Sequence, residues 1–170
     1  NSEKIRKIIL SNKSNFNKKT DLLMYLASRS ENVEKIIKKN YGKKVILIDR
    51  FVDSTIAYQH YGMGINKKLI SNLNKLILKS IKPDFTFINI VNMKNLKIRL
   101  NRRSNKNRYD NFKIEFYKKV QKGYIKLSRN KKKYMSIDSN KEITSNKKII
   151  LKKIESLIKL WLYILLTIPN

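Results

Sequence analysis

Two continuous apolar runs constrain this chain most. Lys44-Val-Ile-Leu-Ile-Asp49 and Asp84-Phe-Thr-Phe-Ile-Asn-Ile-Val91 are bounded by turn and polar residues, and each is shorter than an ordinary helix. Runs of that kind read as parallel strands buried on both faces. Tyr134–Asp138 is a third short strand. The intervals between them carry helical patterns. Buried strands alternating with helices predict right-handed crossovers and a parallel sheet covered on both faces. In such sheets ligands bind at the carboxyl ends of the strands, and Asp49-Arg50 stands at one of those ends.

The helical segments follow from apolar spacing. Ile5, Ile8 and Ile9 share one face of a helix over Asn1–Leu10. Asp21–Asn40 predicts a long helix, with Thr20 as its N-cap and Leu22, Leu23, Leu26, Val33, Ile36 and Ile37 on its apolar stripe. Gly42 stops it. Further helices are predicted after Asp53, over Asn66–Ser80, Met93–Arg103 and Asn111–Ser128, and from a Ser145 cap towards the end.

A chain of 170 residues, 41% of them hydrophobic, suits one domain with a single core. The domain is expected over residues 1–160, with 161–170 an apolar tail that need not be native. The absence of cysteine excludes disulfides, thiolate metal sites and cysteine nucleophiles, and fits a reducing compartment. The formal net charge of +28 points towards nucleic acid. However, the lysines run from Lys4 to Lys159 rather than in one arm, and Lys, Asn and Ile share A- and T-rich codons. Genome composition is the simpler source. The charge still favours the approach of anionic substrates. No signal-peptide pattern opens the chain, which begins at Asn1. The apolar stretch Leu157–Ile168 falls short of the about 20 residues that span a bilayer.

Asp49-Arg50 is the first chemical candidate. An arginine at a strand end can fork onto a phosphate, and an aspartate there can hold a water on Mg²⁺. Taken alone, the pair serves equally well as an ion pair that caps the strand. Tyr25, taken alone, is an ordinary core aromatic. His60 has no partner constellation and reads as a surface or loop residue.

Ordered motifs extend this. Leu22-Leu-Met-Tyr25-Leu-Ala-Ser-Arg29 precedes Asp49-Arg50-Phe51, followed by Ser54-Thr-Ile-Ala-Tyr58-Gln59 and Gly62-Met-Gly64. Lys82-Pro-Asp-Phe-Thr86 comes later, then Arg99, Arg103 and Arg108 in a basic segment and Tyr124 in the next predicted helix. The set resembles the thymidylate kinase family over about Ser2 to Ile158. The resemblance implies a P-loop kinase-like three-layer α/β/α fold with a parallel sheet, here without its N-terminal strand and P-loop. It implies transfer of the ATP γ-phosphate to dTMP, with Mg²⁺ accompanying ATP, in a cytoplasmic homodimer with no specific nucleic acid and no membrane partner.

The resemblance also assigns residues. Tyr25 would stack on thymine, and Arg29 would reach a base carbonyl from the same helix face. Arg50 would hold the dTMP phosphate, and Asp49 would support the metal through water. Ser54, Thr55 and Gln59 would line the monophosphate site, although such residues also serve routinely at helix starts. Tyr58 would pack on the deoxyribose and exclude a 2′-hydroxyl. In a lid over Arg102–Asp110, Arg103 and Arg108 would reach the transferring phosphoryl group, with Arg99 beside them. No G-x-x-x-x-G-K-[ST] occurs in the 170 residues. That loop cradles the ATP phosphates, so these residues alone are expected to be inactive and to expose an aggregation-prone strand edge. The competing readings are a P-loop kinase of another nucleoside or nucleotide, an inactive kinase relic, and a basic nucleic-acid-binding protein.

Overall fold

The computed structural model describes residues 1–167, with side-chain surroundings through residue 162. Helix α1 (Ser2–Leu10) lies against α2 (Lys18–Asn32), which continues through a π-helical stretch, Val33–Ile37, into the last turn α3 (Lys38–Asn40). Asn17 rather than Thr20 caps α2: its side chain accepts from the amides of Lys19 and Thr20, which would otherwise lack partners. The predicted stripe is narrower than expected. Leu22, Leu26, Val33 and Ile37 are buried, whereas Leu23 and Ile36 face solvent. Ile9 of α1 is fully buried, and Ile8 is exposed. Gly42, at φ 73°, ends the helical run.

The short helix α4 (Val52–Thr55) passes directly into a second π-helical stretch, Ile56–Gly62. Helix α5 (Lys67–Leu78) follows, capped by Asn66, whose side chain accepts from the amides of Lys68 and Leu69. Strand β1 (Thr86–Ile90) leads to α6 (Met93–Asn101), and α7 (Ile114–Leu127) leads to β2 (Tyr134–Asp138). The strands run parallel in unbroken register from Thr86 opposite Tyr134 to Ile90 opposite Asp138. Two helices and a lid-like loop thus supply the crossover that a parallel pair demands. The last helix, α8 (Ile143–Thr167), starts two residues before the expected Ser145 cap and runs past residue 160 without a break. Residues 168–170 of the expected tail lie outside the described residues.

The core has two connected parts. Leu22, Leu26, Ile56, Ile65 and Ile70 form one cluster, and Val33, Ile37, Leu78 and Ile81 form the other. Both place α2 and its extension against α5 and the residues around α4.

One predicted strand does not form. Lys44–Asp49 is extended but pairs with no described strand, and the sheet consists of β1 and β2. Val45, Leu47 and Ile48 are 57%, 78% and 44% exposed, while Ile46 packs on the second cluster. A buried parallel strand needs neighbours along its edges and cover on both faces. This segment has cover on one side only. We expect it to drive self-association: Leu47→Lys should reduce light scattering on storage without shifting the unfolding midpoint.

Close helix packing depends on two glycines. A Cβ at Gly123 of α7 would stand 2.5 Å from the Tyr61 ring, and one at Gly62 would stand 2.5 Å from Phe116 of α7. Each glycine therefore receives an aromatic ring from the opposing element. Overpacked sites of this kind destabilise by about 1–3 kcal/mol, so Gly123→Ala should lower stability by that order in urea unfolding.

Candidate active site

Arg29 lies in the interior where three elements meet. One Nη donates to Asn74 Oδ1 of α5 at 2.6 Å, and the other donates to the Phe51 carbonyl at 3.0 Å and to Thr55 Oγ1 at 2.5 Å. Its guanidinium also lies over the Phe51 ring, 5.4 Å from the centroid. Burial pushes its pKa down to about 10, and Asp53 opposes that shift. Arg29 was expected to reach a base carbonyl. The structure engages three of its five N–H donors with protein, and two stay free of those bonds. Asn74, missed in the sequence, is a buried amide on the apolar face of α5. Buried polar groups need partners, which is the signal that would have found it. Asn74→Ala would leave Arg29 short of an acceptor in the interior. We expect a loss of about 1–3 kcal/mol in denaturant unfolding.

Arg50 follows the extended segment with φ at 62°. A side chain in that left-handed region is uncommon, and such strain gathers at functional sites. Its guanidinium lies 5.3 Å from the Tyr58 ring centroid. Enclosure by the surrounding rings would by itself lower its pKa. The oxygens of Tyr58 and Tyr124 and the Asp49 carboxylate outweigh that and hold it above its usual value. Arg50 nevertheless keeps a solvent-exposed surface, as does Asp49.

The rings converge beside this cation. Tyr58 meets Tyr109 edge-on at 6.0 Å and Phe116 at 5.8 Å, and Tyr25 meets Tyr109 at 6.1 Å. Burial raises the Tyr25 pKa, with Tyr109 and Arg50 among the groups that act on it. Tyr124 Oη donates to or accepts from Ser54 Oγ at 2.9 Å, and burial raises its pKa too. Tyr25, Arg50, Ser54, Tyr58 and Tyr124 therefore share one neighbourhood. Thr55 faces the other way, towards Arg29. Gln59 is 1% exposed, and its Nε2 finds no acceptor among the described residues. Asp53, not singled out in the sequence, accepts from Tyr134 Oη at 3.2 Å, and burial raises its carboxyl. It ties this region to β2. His60 Nδ1 lies 2.8 Å from the Ile65 carbonyl, a bond within the turn that follows.

The expected lid arginines are all held by protein groups. Arg99 donates to the Ser139 carbonyl at 2.5 Å. Arg103 pairs with Asp110 at 2.6 Å and remains half exposed. Arg108 is turned inward: it pairs with buried Asp21 and donates from Nε to the Ile9 carbonyl at 2.8 Å. Its reach is taken up by α1 and α2, because a buried carboxylate at Asp21 requires a cation. Residues 108–111 form a 3-10 turn closed by a capping box between Asn107 and Asp110.

The family model for thymidylate kinase matches residues 2–150. The chain belongs to the thymidylate kinase family. It is 38% identical to the thymidylate kinase of Wolbachia sp. subsp. Brugia malayi, over 87% of this chain and 70% of that protein. It is 40% identical to that of Wolbachia pipientis wMel, over 75% of this chain and 62% of the relative. For Mycoplasma capricolum the identity is 38%, over 91% and 76%. Among solved structures, thymidylate kinase from Ehrlichia chaffeensis superposes with a TM-score of 0.69 at 31% identity, covering 90% of this chain and 72% of that one. The α/β kinase fold read from the sequence is therefore the fold of this family, and the kinase reading prevails over the nucleic-acid-binding one.

Proposed function

We propose that this chain binds dTMP between Tyr25, Tyr58 and Arg50, as the acceptor for ATP-dependent phosphoryl transfer. The observation that carries the placement is the Arg50 guanidinium 5.3 Å from the Tyr58 ring centroid, with Tyr25 joined to Tyr58 through edge contacts of 6.1 and 6.0 Å to Tyr109. Rings accept a base and a sugar by stacking and edge contact. A guanidinium forks onto phosphate oxygens.

In this reading Tyr25 stacks on thymine and Tyr58 packs on the deoxyribose. Arg50 grips the monophosphate, with Ser54 and the unpartnered Gln59 Nε2 lining that end. Arg29 and Thr55 act behind the base, where their mutual bond fixes α2 against α4. Positioning and charge neutralisation supply most of the catalysis of phosphoryl transfer. A fixed cation at the acceptor phosphate contributes both. Arg103 is the lid arginine assigned to the transferring group, since it lies on an exposed loop and its own side chain is half exposed.

Mg²⁺ keeps most of its waters and takes few protein carboxylates when phosphates share it. The described residues contain no cluster of three or more His, Asp or Glu. A single exposed Asp49 suits that demand, and it would hold the ion through water and neutralise phosphate charge. A homodimer and a cytoplasmic setting accompany the family reading as proposals. Among the described residues no helix is long and apolar enough to cross a membrane.

Calorimetric titration tests the site. Wild-type protein should bind dTMP, and Arg50→Gln should weaken dTMP by about ten- to a hundredfold, the worth of a charged hydrogen bond, while thymidine affinity stays the same. Equal losses for both ligands would remove the phosphate role from Arg50. A coupled assay on these 170 residues alone should show no ATP turnover, because they hold no phosphate-cradling G-x-x-x-x-G-K-[ST]. Clear turnover would refute that expectation.

A further inference from the structure

Asp21 is a carboxylate on the buried face of α2 and is 2% exposed. A charge in such a place needs strong partners. Both of its oxygens are engaged from one distant segment. Arg108 donates to Oδ1, and Tyr109 Oη donates to Oδ2 at 2.8 Å in a fully buried bond. These two donors are consecutive residues at the C-terminal root of the lid. The root is fixed further by Arg108 Nε on the Ile9 carbonyl and by Tyr117 Oη donating to the Tyr109 carbonyl at 2.5 Å.

Tyr109 carries the consequence into the site. Its ring stands edge-on to Tyr25 at 6.1 Å and to Tyr58 at 6.0 Å. Asp21 and Tyr25 are four residues apart on α2, so they share a face. One carboxylate therefore fixes the hydroxyl end of Tyr109, and the ring of Tyr109 sets the tilt of the two rings that receive base and sugar. Lid residues 102–106 are exposed and are held by exposed bonds, Arg103 donating to Asp110 and Asn12 Nδ2 donating to the Lys106 carbonyl at 2.9 Å, whereas residue 109 is buried.

We infer that Asp21 is a positioning residue for base recognition: through Tyr109 it orients Tyr25 and Tyr58, and through Arg108 it anchors the lid root so that closure moves only the segment before it. Asp21 touches no substrate. The inference rests on the dTMP reading of the site. It assigns selectivity for the base to a carboxylate outside the hollow, and it gives Arg108 an anchoring task rather than a catalytic one.

The test compares dTMP with dUMP, which differ by one methyl group on the base. Both are titrated calorimetrically into wild type, Asp21→Asn and Tyr109→Phe. Tyr109→Phe keeps the ring and removes only the hydroxyl on Asp21, so it serves even where Asp21→Asn folds poorly. A general loss of stability weakens both ligands alike and leaves their affinity ratio unchanged. Displaced rings change the ratio. We expect dTMP affinity to fall about fivefold or more, as for the loss of one buried hydrogen bond, and the dTMP-to-dUMP preference to shrink by about threefold or more, out of the ten- to two-hundredfold a methyl group can supply. An unchanged preference in Tyr109→Phe overturns the inference. If wild type binds neither nucleotide, the dTMP reading fails and the inference falls with it. If wild type binds dTMP and the variants keep its selectivity, only the inference fails.

Discussion

A part-buried guanidinium that bonds α2 to α5 and to the start of α4 is the constraint on which the rest of this fold depends. Arg29 bonds to α5 through Asn74, to the backbone at Phe51 and to α4 through Thr55. These contacts join a helix to a segment that has little other support. Residues 44–49 have no strand partner among the described residues, so Phe51 is positioned chiefly from the helix side. Arg50 is the residue before Phe51. The strained φ of Arg50 persists because Phe51 on one side of it is bonded and packed. The buried cation thereby sets the direction in which the exposed one points.

The two arginines have opposite electrostatic situations. Arg29 is surrounded by neutral acceptors and by a carboxylate, Asp53, whose own pKa is raised. Its charge is tolerated and spent internally. Arg50 gains more from its neighbours than it loses by enclosure, and those neighbours are the phenols of Tyr58 and Tyr124 with the Asp49 carboxylate. Phenols stabilise a cation without neutralising it. Arg50 thus presents an exposed cation, with an exposed carboxylate beside it, on a chain whose formal net charge of +28 favours the approach of anions.

Much of this was legible in the sequence because local rules govern it. Strands β1 and β2, helices α1, α5, α6 and α7 and the Gly42 stop all follow from apolar periodicity and turn residues. The strand over Lys44–Asp49 does not form, because periodicity reports what a segment is suited to and not whether a neighbour is present to pair with it. The site was partly legible for a similar reason. Tyr25, Arg50 and Tyr58 could be picked out by their motifs, and they share one neighbourhood. The partners of Arg29 and Arg108 could not. Asn74 and Asp21 look like ordinary polar positions until the fold buries them beside a cation 45 or 87 residues away.

That difference has a physical basis. An exposed arginine on a lid and a buried arginine at its root have the same side chain, and spacing cannot tell them apart. Burial of the arginine itself can: the Arg103 side chain is 55% exposed and that of Arg108 12%. Asp110, the partner of Arg103, is itself only 4% exposed and also accepts from the Asn107 amide, but its cation is half in water. Asp21 has no water to fall back on, so breaking its pair with Arg108 would strand a charge in the interior. The lid is therefore asymmetric: one arginine meets water along half its side chain, and the other is enclosed against α1 and α2. Arg108 lies inside the capping box that closes the root, and Arg103 lies before it, on the exposed stretch of the loop.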